Sequence, residues 1–300
     1  MHFTGQIWRP PYEASSLLLE VTAGCTHHKC KFCTLYNDLP FQFKMSPLED
    51  IEEDLIEAKG YYRFRGKVQT PSRSFLTGAN PFVLQSERLL NIAGMINKYF
   101  PNIESIGCFA RITDITNKTD EQLYRLRNAG YDGLTIGMET GDDDALTFMN
   151  KGYKSDEIIR QCRRLEQANI TYKLFYLTGI SGMGKGERGA KRTAEICNQL
   201  NPKMIGANML TVYRDSQLYQ EINQGNWKEE SEIEKYKEIR SLICNLHNAV
   251  EFAALGASNA FQLYGNLPKD KEKVLSVLEK IISNADEEKL RNYRKNLPHL

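Results

Sequence analysis

The 300-residue sequence lacks any run of about 18 apolar residues, so no membrane-spanning helix is expected. Its opening, MHFTGQIWRP, has no apolar core and no small-residue cleavage pattern. It therefore does not read as a signal peptide, and a cytoplasmic location is expected. An excess of charge of one sign is also missing: 39 basic side chains are balanced by 38 acidic ones, for a net charge of +1. That argues against a duplex nucleic-acid binder, which carries a basic domain or stripe, and leaves room for a local basic pocket. Low-complexity linkers are absent, as are repeats beyond an alternation of strand and helix signals. The seven cysteines do not make an even set, and an odd number in an intracellular chain argues against a disulfide framework. What is present is 41% apolar residues, enough for a sizeable core.

The alternation starts at Leu17–Thr22, an apolar strand followed by a cysteine-rich loop. Ser46-Pro47-Leu48-Glu49 then carries helix-start chemistry, and Gly60 is expected to stop that helix. Further strands are expected at 74–77, 103–110 (weakened by Gly107), 134–136, 170–178 and 204–212. Helices are expected between them, one opened by the Thr119/Gln122 capping box and another by Gly141-Asp142-Asp143-Asp144. Six such units in about 200 residues predict an α/β fold with a parallel sheet. Six are too few for the complete eight-fold barrel. The expected fold is a partial (βα)6 TIM-like barrel over residues 1–215, with a helical C-terminal extension over 216–300 packing on it. In that extension Ile233, Tyr236, Ile239, Ile243 and Leu246 line one helix face, and the charge run around them is expected to be solvated. Residues 256–270 are expected to be loop-like, 271–284 helical, and 292–300 frayed.

Cys25, Cys30 and Cys33 lie within nine residues, spaced four and then two apart, in Gly24-Cys25-Thr26-His27-His28-Lys29-Cys30-Lys31-Phe32-Cys33. Loops that follow strands form the functional face of a parallel α/β barrel. Three thiolates leave one iron of a 4Fe–4S cluster open, as a catalytic site requires. Zinc held by the same cysteines with His27 or His28 is the rival, and would make the chain a zinc-dependent enzyme or a zinc-binding module. All the ligands sit on one short loop beside a domain that needs no staple, which favours iron–sulfur. Cys108, Cys162, Cys197 and Cys244 are expected to be buried thiols.

This segment resembles the radical S-adenosylmethionine (SAM) superfamily, whose usual cysteine spacing is three then two. Three further features carry the resemblance: Phe32 before the last cysteine, Thr77-Gly78-Ala79-Asn80 after the second strand, and Ile136-Gly137-Met138-Glu139-Thr140-Gly141 at the fourth. Residues 15 to 215 are covered, and the group containing oxygen-independent coproporphyrinogen oxidases and methylthiotransferases is the nearest in kind. The tail from Ser258-Asn259 through Lys271 resembles a branch in which a histidine commonly stands at the position of Gly256.

The resemblance implies a 4Fe–4S cluster on Cys25, Cys30 and Cys33, with SAM chelating the open iron and yielding a radical that abstracts hydrogen from a small substrate. It implies flavodoxin or ferredoxin as electron donor. Phe32 is implied near the adenine, Thr77 to Asn80 at the SAM amino group, and Glu139 at the ribose with ribose hydroxyls or Arg111 as its donor. Arg111, after the third strand, is placed to pair with the SAM carboxylate. Lys173 interrupts an apolar strand and points either with Phe175 to the inside or outward. Gly179 begins a glycine-rich loop whose GMGKGE segment lacks the ending of a triphosphate-binding loop, so close approach to adenine is expected instead. Tyr213 and Arg214 are expected toward substrate. With no second cysteine cluster, sulfur insertion is disfavoured. A tRNA-modifying member of the same superfamily is the remaining alternative, disfavoured by the neutral charge.

Overall fold

Leu17 and Leu19 are buried in the opening strand, where removing apolar surface from water is favourable. The computed structural model describes residues 1–64 and 70–297. They divide into two compact units, one of residues 1–28, 36–136 and 164–172, the other of 29–35, 137–163 and 173 onward.

The first unit contains β1 (Leu17–Glu20), β2 (Thr22–Gly24), β3 (Phe43–Met45), α1 (Leu48–Phe64), β4 (Arg73–Thr77), α2 (Ser86–Tyr99), β5 (Ser105–Ala110), α3 (Ile112–Thr116), α4 (Asp120–Asn128) and the start of β6 (Leu134–Glu139). β1, β4, β5 and β6 pair in parallel in that order, while β2 and β3 form a separate antiparallel ribbon. α2 buries Leu89, Ile92, Ala93 and Ile96 at helical spacing. Thr119 and Gln122 cap α4 reciprocally, as their spacing predicts. The expected stop at Gly60 is corrected: α1 runs on to Phe64. A mid-helix glycine costs about 1 kcal/mol relative to alanine, less than the burial of Ile51, Leu55 and Ala58 on the same helix gains. Gly107, a weak strand former, makes room for Arg73. A Cβ there would collide with the guanidinium, which binds Glu13, Ser105 and the carbonyls of Asp132 and Gly133 at 2.9 to 3.1 Å.

The second unit continues with α5 (Asp143–Phe148), α6 (Ser155–Gln167), β7 (Tyr172–Thr178), α7 (Gly186–Cys197), β8 (Met204–Met209), α8 (Gln217–Asn223), α9 (Glu232–Asn245), β9 (Val250–Ala254), β10 (Leu263–Leu267), α10 (Lys271–Asn284) and α11 (Glu287–Lys295); α6 and β7 each begin or end in the first unit. β7–β8 and β8–β9 pair in parallel, β9–β10 antiparallel. The strand order of the sheet is β1-β4-β5-β6-β7-β8-β9-β10, an α/β arrangement that is mostly parallel. Among the described residues no helix is long and apolar enough to cross a membrane.

Four expectations for the C-terminal third are corrected. Residues 250–254 and 263–267 add two strands to the sheet instead of leaving the extension helical and looped. Leu263, Leu267 and Gly265 are buried in strict alternation, a pattern masked in the sequence by Gly265 and Asn266, both poor strand formers. The charge run of α9 is not solvated: Glu232, Lys235 and Glu238 are buried, each with polar partners. Cys244 is exposed, because it lies off the face formed by Tyr236, Ile239, Ile243 and Leu246. The tail is helical to Lys295, with Arg294 buried against Glu232 at 2.6 and 2.7 Å; residues 298–300 lie outside the described residues.

Candidate functional site

Within the first unit the cysteine loop leaves β2 at a glycine that nothing else replaces. Gly24 has φ +76°, and a Cβ there would collide with the Gln42 carbonyl, which accepts the Cys25 N–H at 2.9 Å. At the end of β4 the chain turns through Gly78, φ +124°, pressed against Thr22 so closely that a Cβ would strike its hydroxyl. That Thr22 hydroxyl is buried with no hydrogen-bond partner among the described residues.

Asn80 is completely buried. Its amide nitrogen donates to Thr26 Oγ1 at 2.9 Å and to both Asp114 oxygens at 3.1 and 3.2 Å. Its oxygen lies 3.5 Å from the Thr26 N–H. The donors of this amide are therefore spent inside the fold, and the oxygen is the side left to accept. Asp114, missed in the sequence, also accepts the Arg111 N–H at 2.8 Å, capping α3. Burial pushes the Asp114 carboxyl up to about 6, and pushes the Lys118 ammonium, held by the Phe82 and Leu84 carbonyls, down to about 8. An aspartate three residues after an arginine that ends a strand was the available signal for Asp114. Thr77 and Ala79 complete the turn around Gly78, Thr77 donating to the Leu19 carbonyl at 3.2 Å.

Within the second unit Lys31 ties down the other half of the loop. Its N–H donates to the Met149 carbonyl, its carbonyl accepts from Leu218, and its ammonium meets Glu221 at 2.6 Å. Cys33 N–H closes a turn onto the Cys30 carbonyl at 3.1 Å. Phe32 packs on an apolar cluster of Met149, Ile180, Leu210, Leu218 and Trp227. Cys25 and Cys30 are half-buried and Cys33 is exposed; none of the three is in a disulfide. His28 is exposed and His27 half-buried. Among the described residues no three His, Cys, Asp or Glu side chains are drawn into a preformed metal cage.

Glu139 ends β6 in the left-handed region, φ +67°. Lys151 Nζ donates to its Oε1 at 3.0 Å, and Lys151 Nζ lies 5.7 Å from the Phe32 ring centroid. Gly137 leaves space for that carboxylate, since a Cβ would lie 2.7 Å from Oε1. Lys151 was legible only as part of a helix stop. Lys173 is half-buried on the same side of β7 as Phe175 and Leu177. Gly179, φ +90°, uses both backbone groups internally, donating to Glu238 at 2.8 Å and accepting from Gly182 at 3.2 Å. Its lack of a side chain admits the Lys235 stem, Cε lying 3.0 Å from where a Cβ would stand. Glu238 also accepts from the Tyr176 hydroxyl. Glu230 and Glu238 converge on Gly186, where a Cβ would collide with an oxygen of each. Burial beside this neighbour pushes the Glu230 carboxyl up to about 10 and raises Glu238 as well. Glu238 takes two donors while Glu230 Oε2 has no partner among the described residues, so the shared proton sits on Glu230. Burial also pushes the Cys197 thiol up to about 12, an inert structural sulfur.

A mostly parallel α/β sheet with a three-thiol loop after its first strands defines an enzyme scaffold of the kind that carries an iron–sulfur cofactor. The family model of the Radical SAM superfamily matches residues 19–190, more than half of the chain, and the chain belongs to that superfamily. Its cofactors are those of the superfamily, a 4Fe–4S cluster and SAM. The heme chaperone HemW of Bacillus subtilis (strain 168) is 26% identical over 111 residues, 36% of this chain and 29% of that protein. The radical SAM methyltransferase TsrM from Kitasatospora setae superposes with a TM-score of 0.54 at 16% identity, over 70% of this chain and 39% of that one. Coproporphyrinogen III oxidase (HemN) from Escherichia coli gives 0.54 at 15% identity, over 76% and 51%. Methylornithine synthase (PylB) gives 0.51 at 14%, over 93% and 85%. At these identities the structural likeness speaks for the fold. The chain spans well under two thirds of HemW and of TsrM.

Proposed function

We propose that the chain holds one 4Fe–4S cluster through Cys25, Cys30 and Cys33 and uses SAM to abstract hydrogen from a small substrate. The observation that carries this is three cysteines, none in a disulfide and none fully buried, within nine residues of a radical SAM chain. The donor set fits the group, being all sulfur with one ligand too few to close the cluster. When bound, the cluster and SAM together supply a one-electron cleavage that releases a carbon radical able to take hydrogen.

The chain's own residues bind and orient. In the first unit the Asn80 oxygen, kept as an acceptor by Asp114 and Thr26, takes the SAM ammonium, and Arg111 pairs with its carboxylate. Thr77, Gly78 and Ala79 form the turn that presents Asn80. In the second unit Glu139 accepts from ribose hydroxyls while Lys151 holds it in place, and Phe32 offers an apolar wall to the adenine. Gly179 contributes its turn, its own polar groups being engaged. Lys173 is assigned to SAM or substrate. Flavodoxin or ferredoxin supplies the electron, and the reaction takes place in the cytoplasm.

Iron, zinc and acid-labile sulfide are to be measured in anaerobically purified protein. About four iron and four sulfide per chain are expected. One zinc and no sulfide overturns the assignment in favour of a zinc protein. Salt-dependent retention on immobilised tRNA would replace the small substrate with an RNA.

A further inference from the structure

The pairing of β8 with β9 stops early. It runs from Met204 and Glu251 to Gly206 and Ala253, although β8 continues to Met209. Past that point side chains take over the hydrogen bonds. Asn259 Nδ2 donates to the Ala207 carbonyl at 3.0 Å, and the Met209 N–H donates to Ser258 Oγ at 3.1 Å. The last member of this row comes from the C-terminal helix α11. Arg294, 6% exposed, sends Nη1 to Thr211 Oγ1 and to the Ser258 carbonyl, both at 3.2 Å, and Nη2 to Met209 Sδ at 3.1 Å. Nε and Nη2 also grip the two Glu232 oxygens.

Burying a guanidinium is costly unless its charge is paired, and Glu232 meets that need. The contacts to Thr211, Ser258 and Met209 are additional. They join three segments, the end of β8, the turn after β9 and α11, at one planar fork whose geometry fixes their spacing. α11 is also seated independently of Arg294. Glu287 accepts the Glu232 and Ile233 N–H at 2.9 and 3.0 Å, and Leu290 is buried.

Thr211 opens the connection to α8. There Ser216 Oγ donates to the Tyr213 carbonyl at 2.6 Å and accepts the Tyr219 N–H at 3.1 Å. α8 is in turn bound to the cysteine loop in two places. The Leu218 N–H donates to the Lys31 carbonyl at 2.7 Å, and Glu221 meets the Lys31 ammonium at 2.6 Å. Lys31 stands between Cys30 and Cys33. A continuous run of bonded groups within the second unit thus leads from α11 to two of the three cysteines.

We propose that Arg294 is a positioning residue: from the C-terminal helix it fixes the connection between β8 and α8, and through it the half of the cysteine loop that carries Cys30 and Cys33. It touches no cofactor and acts through Thr211, Leu218 and Lys31. The proposal rests on the radical SAM reading only for what those cysteines hold.

The test uses the full chain, anaerobically loaded with its cluster, as wild type, Arg294→Lys and Arg291→Ala. Arg294→Lys keeps a charge beside Glu232 and loses the fork, so the fold is retained. Arg291→Ala removes ion pairs to Glu229 and Glu287 from the same helix without touching the end of β8. Amide hydrogen exchange is read for residues 209–218, 29–33 and, as a remote reference, 263–267. Bleaching of the cluster absorbance by an iron chelator, bathophenanthroline disulfonate, is read in parallel. Arg294→Lys is expected to speed exchange in 209–218 by about tenfold, the size of one hydrogen bond to a charged group, and to leave 263–267 unchanged. Exchange in 29–33 and chelator bleaching are expected to rise at least about twofold, the low end of what coupling through a packed network carries. Arg291→Ala is expected to change neither. Unchanged exchange in 209–218 overturns the proposal, as does a uniform rise that includes 263–267, or the same response in Arg291→Ala, either of which makes Arg294 a plain structural contact. A rise in 209–218 with neither 29–33 nor bleaching affected overturns the link to the cysteines. A protein that shows the predicted exchange but carries no cluster to bleach upholds the positioning role and contradicts the radical SAM reading, so the two failures are told apart.

Discussion

Lys151 Nζ sits 3.0 Å from Glu139 Oε1, with Lys151 5% and Glu139 16% exposed. Removing one partner of a mostly buried pair strands the other charge. Lys151→Met is expected to destabilise the protein by about 2–4 kcal/mol in urea unfolding. Glu139→Ala is expected to weaken SAM binding while leaving iron content unchanged. An unchanged SAM dissociation constant in Glu139→Ala would remove that residue from the cofactor's surroundings.

Asp114 predicts a pH dependence. Its folded pKa, about 6, lies above the ordinary aspartate value of 3.8 because burial disfavours the charged form. The native state then binds more protons than the unfolded chain between about pH 4 and 6, so the contribution of this group to stability falls as pH rises through that window. Asp114→Asn is expected to flatten that part of the profile. Urea midpoints at pH 4.5 and 7 in both proteins check it, and parallel profiles would contradict it.

Glu230 carries the same sign further. Raised to about 10, it keeps its proton in the fold while the unfolded chain ionises near 4.5, so its contribution falls steadily from there toward pH 10. Glu230→Gln supplies a permanent N–H donor toward Glu238 and removes this loss. We expect the variant to be more stable than wild type at pH 8 and to differ little at pH 5. A melting temperature at pH 8 below wild type would contradict the one-proton carboxyl pair.

Two glycines with positive φ are expected to respond unequally to alanine. Gly78→Ala drives a Cβ into Thr22, whereas Gly184→Ala meets nothing within 4 Å. The second should cost about 1 kcal/mol, the strain of the left-handed backbone alone, and the first at least about 2 kcal/mol more. Equal losses in chemical unfolding would show that Gly78 does not touch Thr22.

Six parallel strands and the cysteine loop were legible because apolar runs bounded by turn chemistry report burial directly, as at Leu17–Glu20 and Leu134–Glu139. β10 was not, because Gly265 and Asn266 break its apolar run even though Leu263 and Leu267 are buried. The inward charges of α9 were hidden for a different reason. Glu232, Lys235 and Glu238 are compensated by Arg294, Glu229 and Tyr176, partners far apart in the sequence, except for Glu229. Tertiary pairing leaves no periodic trace. Asp114 and Lys151 escaped likewise, each being defined by the site residue it holds.

The most direct test of the account is dithionite-dependent formation of 5′-deoxyadenosine from SAM under anaerobic conditions, comparing wild type with Cys30→Ala. Turnover in wild type and none in a folded, colourless Cys30→Ala is the predicted result. Equal 5′-deoxyadenosine from both proteins would contradict it.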